Sequence, residues 1–277
     1  MSNSPTGDSV RAMPSLNGET KVFIIIGDPI AQVKSPALLT ANMHERGVNA
    51  VVVPGHVFPA DVAAFMAGCD ALRNVDGVIA TIPHKQAMLG YCAEITERAR
   101  YANSVNVMRR SDAGWSGDNT DGMGYVSGIK AAGGAIEGKR VLLIGAGGAG
   151  SAIAYEFLAQ GAAHLDIHDV DAARRDALIA RLEEKFAGKV AAGSNDPRGY
   201  DIVGNATPLG MKEGDPLPVL CEHLDAGQFV ADVITKPEIS PLIAAARSRG
   251  CKTMPGLGMF KAQEGLLVDA LLGNPYD

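Results

Sequence analysis

The chain has 277 residues, with 25 Lys and Arg against 31 Asp and Glu, a formal net charge of −6. That balance, without clustered Lys or Arg, excludes a nucleic-acid surface. Hydrophobic residues at 47% against 20% charged exclude disorder and supply cores for one large domain or two ordinary ones.

Cys69, Cys92, Cys221 and Cys251 are scattered with no C-x-x-C spacing, so neither a thiolate metal site nor a redox pair is expected. No stretch has the apolar length of a signal peptide or a membrane span. The expected location is the cytoplasm, with a small-molecule ligand and neither membrane nor nucleic acid as partner.

Met1 to Thr20, rich in Ser, Asn, Gly and Pro, reads as a flexible tail. Val22 to Ile26 is a short apolar strand closed by Gly27-Asp28-Pro29. Ser35-Pro36 reads as a helix start with Ser at the N-cap and Pro at N1; Leu38, Leu39 and Met43 give its buried face and Gly47 its stop. Val51 to Val53 is strand again, and Asp61 caps a helix carrying Val62, Phe65 and Met66. Val78 to Ala80 is a third strand entering Thr81-Ile82-Pro83-His84-Lys85. Ser104 to Met108 is a fourth, and Trp115 to Asp121 reads as a polar loop ending at a helix start. This alternation is already a complete α/β layer.

Val141 to Ile144 is apolar without polar alternation, as in a parallel strand buried on both faces. It runs into Gly145-Ala146-Gly147-Gly148-Ala149-Gly150 and then a helical pattern through Ile153 and Phe157. Gly145 permits the tight turn, Gly147 lets a pyrophosphate approach the backbone, and Gly150 lets the helix pack on its strand. The helix N-terminus offers free N–H groups to the phosphates. A second strand through Leu165 and Ile167 ends at Asp169, about two dozen residues on, where an acidic residue meets the adenosine ribose. A helix follows Asp171. Tyr200 to Gly204 enters Asn205-Ala206-Thr207-Pro208, and Phe229 to Val233 enters Thr235-Lys236-Pro237. Ser240-Pro241 opens another helix, Thr253 to Gly258 is a turn, and Met259 to Leu272 is the last helix.

Several polar residues fall just past strand ends, where open parallel sheets bind ligands. Taken singly, Ser35 is an N-cap, Lys85 a solvated lysine, Asp121 a helix cap, Asn106 a turn brace and Gln263 a surface residue. Together they resemble the shikimate dehydrogenase family. Gly27-Asp28-Pro29-Ile30 with Lys34-Ser35-Pro36 is similar to that family's first substrate loop, and Thr81-Ile82-Pro83-His84-Lys85 to its T-x-P-x-K segment. Asn103-Ser104-Val105-Asn106 resembles the substrate asparagine loop. Gly117-Asp118-Asn119-Thr120-Asp121-Gly122 resembles its most specific signature. The glycine loop, Asn205 to Met211, and Gly256-Leu257-Gly258-Met259 with Gln263 complete the series.

The resemblance implies two α/β domains with the cleft between them. A substrate-binding domain spans 21–121 and is joined by the C-terminal helix 256–277; a Rossmann dinucleotide-binding domain spans 122–255, and 1–20 is the tail. It implies an oxidoreductase that interconverts a cyclic hydroxy acid and its 3-dehydro ketone by hydride transfer, with Lys85 and Asp121 as catalytic pair and no metal. Val33, Ser35, Ile79, Thr81, Asn106, Thr235 and Gln263 match substrate-binding positions. Gly145, Ala146, Gly147, Gly148, Ala149, Gly150, Asp169, Asn205, Thr207, Pro208, Gly258 and Met259 match cofactor-binding ones. A lysine can act as acid and base if desolvation brings its ammonium toward a working value, and a neighbouring carboxylate orients it.

Three positions depart from the family pattern. The substrate loop usually reads S-x-S, but Val33-Lys34-Ser35 stands here; Ile79 replaces an asparagine; Thr235 replaces a tyrosine. Each unpaired substrate group costs on the order of 1–3 kcal/mol, so Val33 and Ile79 together weaken shikimate binding by roughly one to four decades. Shikimate, quinate or a less polar relative are the candidate substrates.

NADP-using members carry Asn-Arg-Thr at the end of the second Rossmann strand. His168-Asp169-Val170-Asp171 stands here, and a carboxylate at Asp169 repels a 2′-phosphate, so NAD is expected and NADP disfavoured; Arg174 and Arg175 read as solvated. The alternatives are an NAD-binding regulator without catalysis, and a methylene-tetrahydrofolate dehydrogenase layout, which lacks the G-D-N-T-D-G signature. The chain is expected as a monomer or homodimer.

Overall fold

The computed structural model of the chain describes residues 16–31 and 33–274. β1 (Lys21–Gly27), α1 (Ser35–Glu45), β2 (Ala50–His56), α2 (Val62–Ala71) and β3 (Val75–Ala80) make two successive strand–helix–strand units. β2 and β3 lie parallel to β1 on its two sides. The chain then passes through β4 (Glu94–Ile95), α3 (Glu97–Ala102), β5 (Val107–Ser111) and β6 (Gly114–Asp118). β5 and β6 form an antiparallel hairpin, with β5 antiparallel to β3. The sheet order is β2-β1-β3-β5-β6-β4.

Side chains alternate across β3 as strand geometry requires. Val78 and Ala80 enter one apolar core with Met66 and Trp115. Ile79 enters the other, with Leu39, Met43 and Leu267.

α4 (Asp121–Ala131) leaves this sheet for a second one. That sheet comprises β7 (Arg140–Ile144), α5 (Gly148–Ala159), β8 (His164–His168), α6 (Ala172–Glu183), β9 (Val190–Ala192), β10 (Ile202–Asn205), β11 (Phe229–Asp232), α7 (Pro241–Ser248) and β12 (Lys252–Met254). Its order is β12-β11-β10-β7-β8-β9, with every pair parallel. This is the Rossmann arrangement, in which strand order reverses between β7 and β10 and ligands bind outside the strands' carboxyl ends. Val141 and Leu143 enter one core and Leu142 and Ile144 the other, as an uninterrupted apolar run predicts.

The last helix, α8 (Gly256–Leu272), returns to pack on α4 and on the first sheet. The crossing is close because α4 presents glycines. A Cβ at position 124 would lie 2.8 Å from Gln263 Cβ, and one at 128 would lie 3.1 Å from the Gly258 carbonyl. Helix axes approach only where side chains are small, so these glycines set Gln263 above the start of α4.

Several local expectations are corrected. Of the expected tail, residues 1–15 lie outside the described residues; Thr20 is buried and its Oγ1 donates to Asn49 Oδ1 at 2.9 Å. Ser35 is the first residue of α1 and Lys34 its N-cap, with no capping side chain. Leu38 is 36% exposed, while Leu39 and Met43 are buried. The fourth strand begins at Val107, and Gly114–Asp118 is a strand where a loop was expected, because backbone pairing with β5 overrides its glycines and polar residues. Lys252–Met254 is β12, and α8 starts at Gly256 inside the expected turn. Among the described residues no helix is long and apolar enough to cross a membrane.

Candidate active site

Lys85 and Asp121 come together at the carboxyl ends of the first sheet. The Lys85 Nζ donates to Asp121 Oδ2 at 2.6 Å. The lysine is set by its neighbours: the buried His84 ring bonds the Val57 carbonyl at 2.8 Å, and Val105 N–H donates to the Lys85 carbonyl at 2.8 Å.

Asp121, the first residue of α4, is 3% exposed. Its Oδ1 accepts from Asn106 Nδ2 at 2.8 Å and Gln263 Nε2 at 2.9 Å, and its backbone N–H donates to Asn119 Oδ1 at 3.0 Å. Burial pushes this carboxyl up, but the Lys85 ammonium and the donors from Lys85, Gln263 and Asn106 outweigh it and hold the group below its ordinary value. A buried carboxylate is tolerable only when paired and hydrogen-bonded in this way.

The signature loop that precedes α4 is a brace. Asn119 Nδ2 donates to Ser104 Oγ at 2.8 Å, Thr120 N–H donates to Asn106 Oδ1 at 2.9 Å, and Gln263 Nε2 reaches Thr120 Oγ1 at 3.1 Å. Asp118 accepts from Thr96, the N-cap of α3. Asn119 and Thr120 were absent from the candidate residues. The family-like signature contained them, but only the fold shows that their side chains hold Asn106 and Asp121.

The remaining substrate-side candidates divide. Thr81 and Ser35 flank the same carboxyl ends, Ser35 buried and Thr81 half-buried. Ile79 is 4% exposed, and Val33 packs against its cluster together with Ile30. Thr235 is exposed on the loop after β11, in the second sheet's half of the molecule.

The glycine loop fits a dinucleotide. Gly145 has φ +105°, the left-handed range that favours glycine. A Cβ at position 150 would lie 2.0 Å from the Gly145 carbonyl oxygen, so only glycine packs there; at 147 and 148 a Cβ would meet nothing within 4 Å. The N-terminal turn of α5 is therefore open on the side where a pyrophosphate would be held by backbone N–H groups. Ala146 N–H donates inward, to Asp169 Oδ2 at 2.7 Å.

A buried carboxylate supports the neighbouring loop. Asn205 and Asp232, both 0% exposed, end adjacent strands β10 and β11. Asn205 Nδ2 donates to Asp232 Oδ1 at 3.0 Å, and Asn205 Oδ1 accepts from Thr207 N–H at 3.0 Å and Thr207 Oγ1 at 2.6 Å. Asp232 also accepts from Ile234 N–H at 3.1 Å and from the α7 N-cap Ser240 Oγ at 2.5 Å. Burial pushes the Asp232 carboxyl up, against the donors from Ser240, Ile234 and Asn205. Thr207 sits on Gly145, whose Cβ would lie 2.8 Å from Thr207 Cγ2. Gly258 and Met259 open α8 near Gly128. Asp232 and Ser240 carried no motif signal, because their role appears only when β10, β11 and α7 meet. No group of His, Cys, Asp and Glu among the described residues could hold a metal ion.

Residues 25–108 match the family described as the shikimate dehydrogenase substrate binding domain. The shikimate dehydrogenase (NADP(+)) of Lysinibacillus sphaericus is 34% identical over 257 residues, covering 92% of this chain and 93% of the relative. A ligand-free 5-ketofructose reductase of Gluconobacter sp. strain CHM43 is 32% identical with a TM-score of 0.84, covering 94% of this chain and 96% of that one. A shikimate dehydrogenase in complex with NADP+ is 30% identical with a TM-score of 0.86, covering 94% and 92%.

These relatives overturn the expected preference for NAD over NADP, since the curated enzymes are named for NADP(+) and a similar solved structure holds NADP+. The structure supplies the physical reason. Asp169 is 8% exposed, and its carboxylate is bound by Arg174 through Nη2 at 2.8 Å and Nε at 3.3 Å. The repulsion assigned to a bare carboxylate is compensated by this guanidinium, which was read as solvated.

Proposed function

The chain belongs to the shikimate dehydrogenase family and is thus an oxidoreductase acting on a CH–OH group, and from that premise we propose that it interconverts a secondary alcohol and its ketone with NADP, using Lys85 and Asp121 as acid–base pair. We take 21–121 with 256–277 as the substrate-binding unit and 122–255 as the dinucleotide-binding unit.

The observation that carries this reading is the Lys85–Asp121 contact at 2.6 Å, in a frame where Asn106 and Gln263 converge on the same carboxylate. The dinucleotide, when bound, supplies or takes up the hydride. In reduction Lys85 gives a proton to the oxygen that becomes the hydroxyl, and in oxidation it takes that proton back. Its side chain is 21% exposed, so it exchanges the proton with water between turnovers. Asp121 is ionised at neutral pH and keeps the ammonium aimed across the cleft. Asn106, its amide held by Asp121 and Thr120, positions the carboxylate, while Gln263, Thr81 and Ser35 are suited to neighbouring substrate hydroxyls. Gly147, Gly148 and the first turn of α5 are suited to the pyrophosphate, and Thr207, Pro208, Gly258 and Met259 are the residues that would border the nicotinamide.

The relatives' names span two substrate chemistries: shikimate carries a carboxylate, and 5-ketofructose is an uncharged polyhydroxy ketone. Steady-state assays with NADPH and ketones of both kinds, and with NADP+ and the matching alcohols, test the proposal. Turnover that Lys85→Met abolishes supports it. NADP+ binding without turnover on any of them would leave the regulator reading in its place.

A further inference from the structure

α3, six residues from Glu97 to Ala102, faces both halves of the molecule at once. Residues two apart on a helix point to different sides. Ala99 enters the core of the first sheet with Met66 and Trp115, while Tyr101 enters that of the second with Phe157 and Leu182.

On its first side α3 brackets the signature loop. Thr96, its N-cap, accepts from Ala99 N–H and donates to Asp118. Just past its C-terminus, Ser104 accepts from Asn119 Nδ2 through Oγ at 2.8 Å and through its carbonyl at 3.2 Å. Asn119 Oδ1 in turn takes the Asp121 N–H at 3.0 Å. Both ends of the helix therefore hold the loop that leads to the Asp121 carboxylate.

On its other side α3 is clamped to the helices of the dinucleotide sheet. The Tyr101 ring stacks on Tyr155 of α5, with centroids 5.5 Å apart and planes 16° from parallel. Both residues are buried. The Tyr155 hydroxyl donates to Glu97 Oε2 at 3.1 Å, and Lys185, just past α6, pairs with the same oxygen. Arg181 of α6 donates from Nε to the Tyr101 carbonyl at 3.0 Å. α5 begins at the glycine loop, so its placement is also that of a dinucleotide held there. α4 meets α5 directly as well, at Gly122, where a Cβ would lie 2.2 Å from the Ala152 carbonyl oxygen. One close crossing fixes a distance and leaves rotation about it free; a second hold removes that freedom.

We infer that α3 is a strut that sets the Lys85–Asp121 pair against the dinucleotide, with Tyr101, Tyr155 and Lys185 as positioning residues for hydride transfer. The inference rests on the dehydrogenase reading above. Reacting atoms must approach to about 3–3.5 Å, and a misplacement of about 1 Å costs on the order of 10²-fold in rate. The three side chains act through the helices they join: α3 passes their position to Asp118 and Asn119, and α5 passes it to the glycine loop.

The test is steady-state kinetics on the best ketone, with NADPH and with NADPH deuterated at the transferred hydrogen. Tyr101→Leu is expected to lower kcat by roughly ten-fold, with ketone KM and the NADPH dissociation constant within about two-fold of wild type. The deuterium isotope effect on kcat should rise, because a slowed hydride step takes over from product release as the limiting one. Lys185→Met should lower kcat by about two- to three-fold, since its ion pair is partly exposed and screened. Lys185→Arg should restore it, the guanidinium reaching the same carboxylate. If Tyr101→Leu fails to fold, Tyr155→Phe, which keeps the ring and removes only the hydroxyl, carries the test with Lys185→Met. A lower melting temperature with kcat and isotope effect unchanged would overturn the inference and leave α3 a stabilising contact alone. Wild-type protein that binds NADPH and turns over no ketone would instead remove the dehydrogenase reading, and the inference with it.

Discussion

Asn205 hands its side-chain amide to Asp232 at 3.0 Å, and that contact joins the backbone pairing in fixing the turn that carries Thr207 to the end of the adjacent strand. Asp232→Ala leaves Asn205, Ser240 and the Ile234 N–H without their acceptor, at about 1–3 kcal/mol for each buried group. NADP+ affinity, measured by calorimetry, should fall by roughly ten-fold, about 1.4 kcal/mol. Asp232→Asn should restore most of it, since the amide oxygen keeps Asn205 and the amide N–H can donate to Ser240. Ser240→Ala should lower the melting temperature through the lost cap of α7 while the NADP+ dissociation constant holds. Equal loss of affinity in Ser240→Ala would show that Asp232 acts on stability alone.

Lys85→Met should reduce kcat by roughly 10²–10⁴ on the best substrate and leave NADP+ binding within about two-fold. It also strands the Asp121 carboxylate in a buried place, so the melting temperature should drop. Near-normal kcat would exclude Lys85 as the acid–base group.

The pH dependence of stability follows from the sign at Asp121. Its carboxyl is held below the ordinary 3.8, so the stability it contributes is present above that value and is lost as pH falls through the lower folded value. The melting-temperature gap between the wild type and Asp121→Asn should therefore be constant from pH 7 to about 5 and shrink below about 4. A gap that persisted in strong acid would mean that the ion pair is not its source.

Arg174→Ala should uncover Asp169. The extra phosphate of NADP+ would then face an uncompensated carboxylate, and its dissociation constant should rise about ten-fold more than that of NAD+, a change of the size expected from one screened charge. The ratio of the two constants, measured by fluorescence titration on wild type and variant, is the readout. An unchanged ratio would place Arg174 outside the reach of the ribose.

The parts legible in the sequence were those in which chemistry is local. Val141 to Ile144 and the glycines after it announce their strand, turn and helix because each glycine answers a neighbour's backbone. Ser240 caps its helix as its own type suggests, accepting from Ile243 N–H at 3.3 Å. Gly114–Asp118 was illegible as a strand because its pairing partner lies outside its own run of residues. α3 was illegible because its six residues have Tyr101 as the single large side chain among charged and small ones, too little for a helical stripe. At the site, Lys85 and Asp121 could be named singly, but the hold that Asn119, Thr120 and Asp232 exert depends on contacts that form only in the folded chain. Arg174 was misread for the same reason: helix position says that it is exposed, and only the fold says that it bends back to Asp169.

The return of α8 to the first sheet has a consequence for biosynthesis. When the ribosome has made residues 21–121, the strands and helices of the first layer exist, yet one face of that layer lacks Leu267, Val268 and Leu271, and Asp121 lacks Gln263. The missing pieces lie at the far end of the chain, after the whole dinucleotide sheet. The first layer to emerge is therefore finished only when α8 has been made, and until then it keeps an apolar face open to chaperones or water.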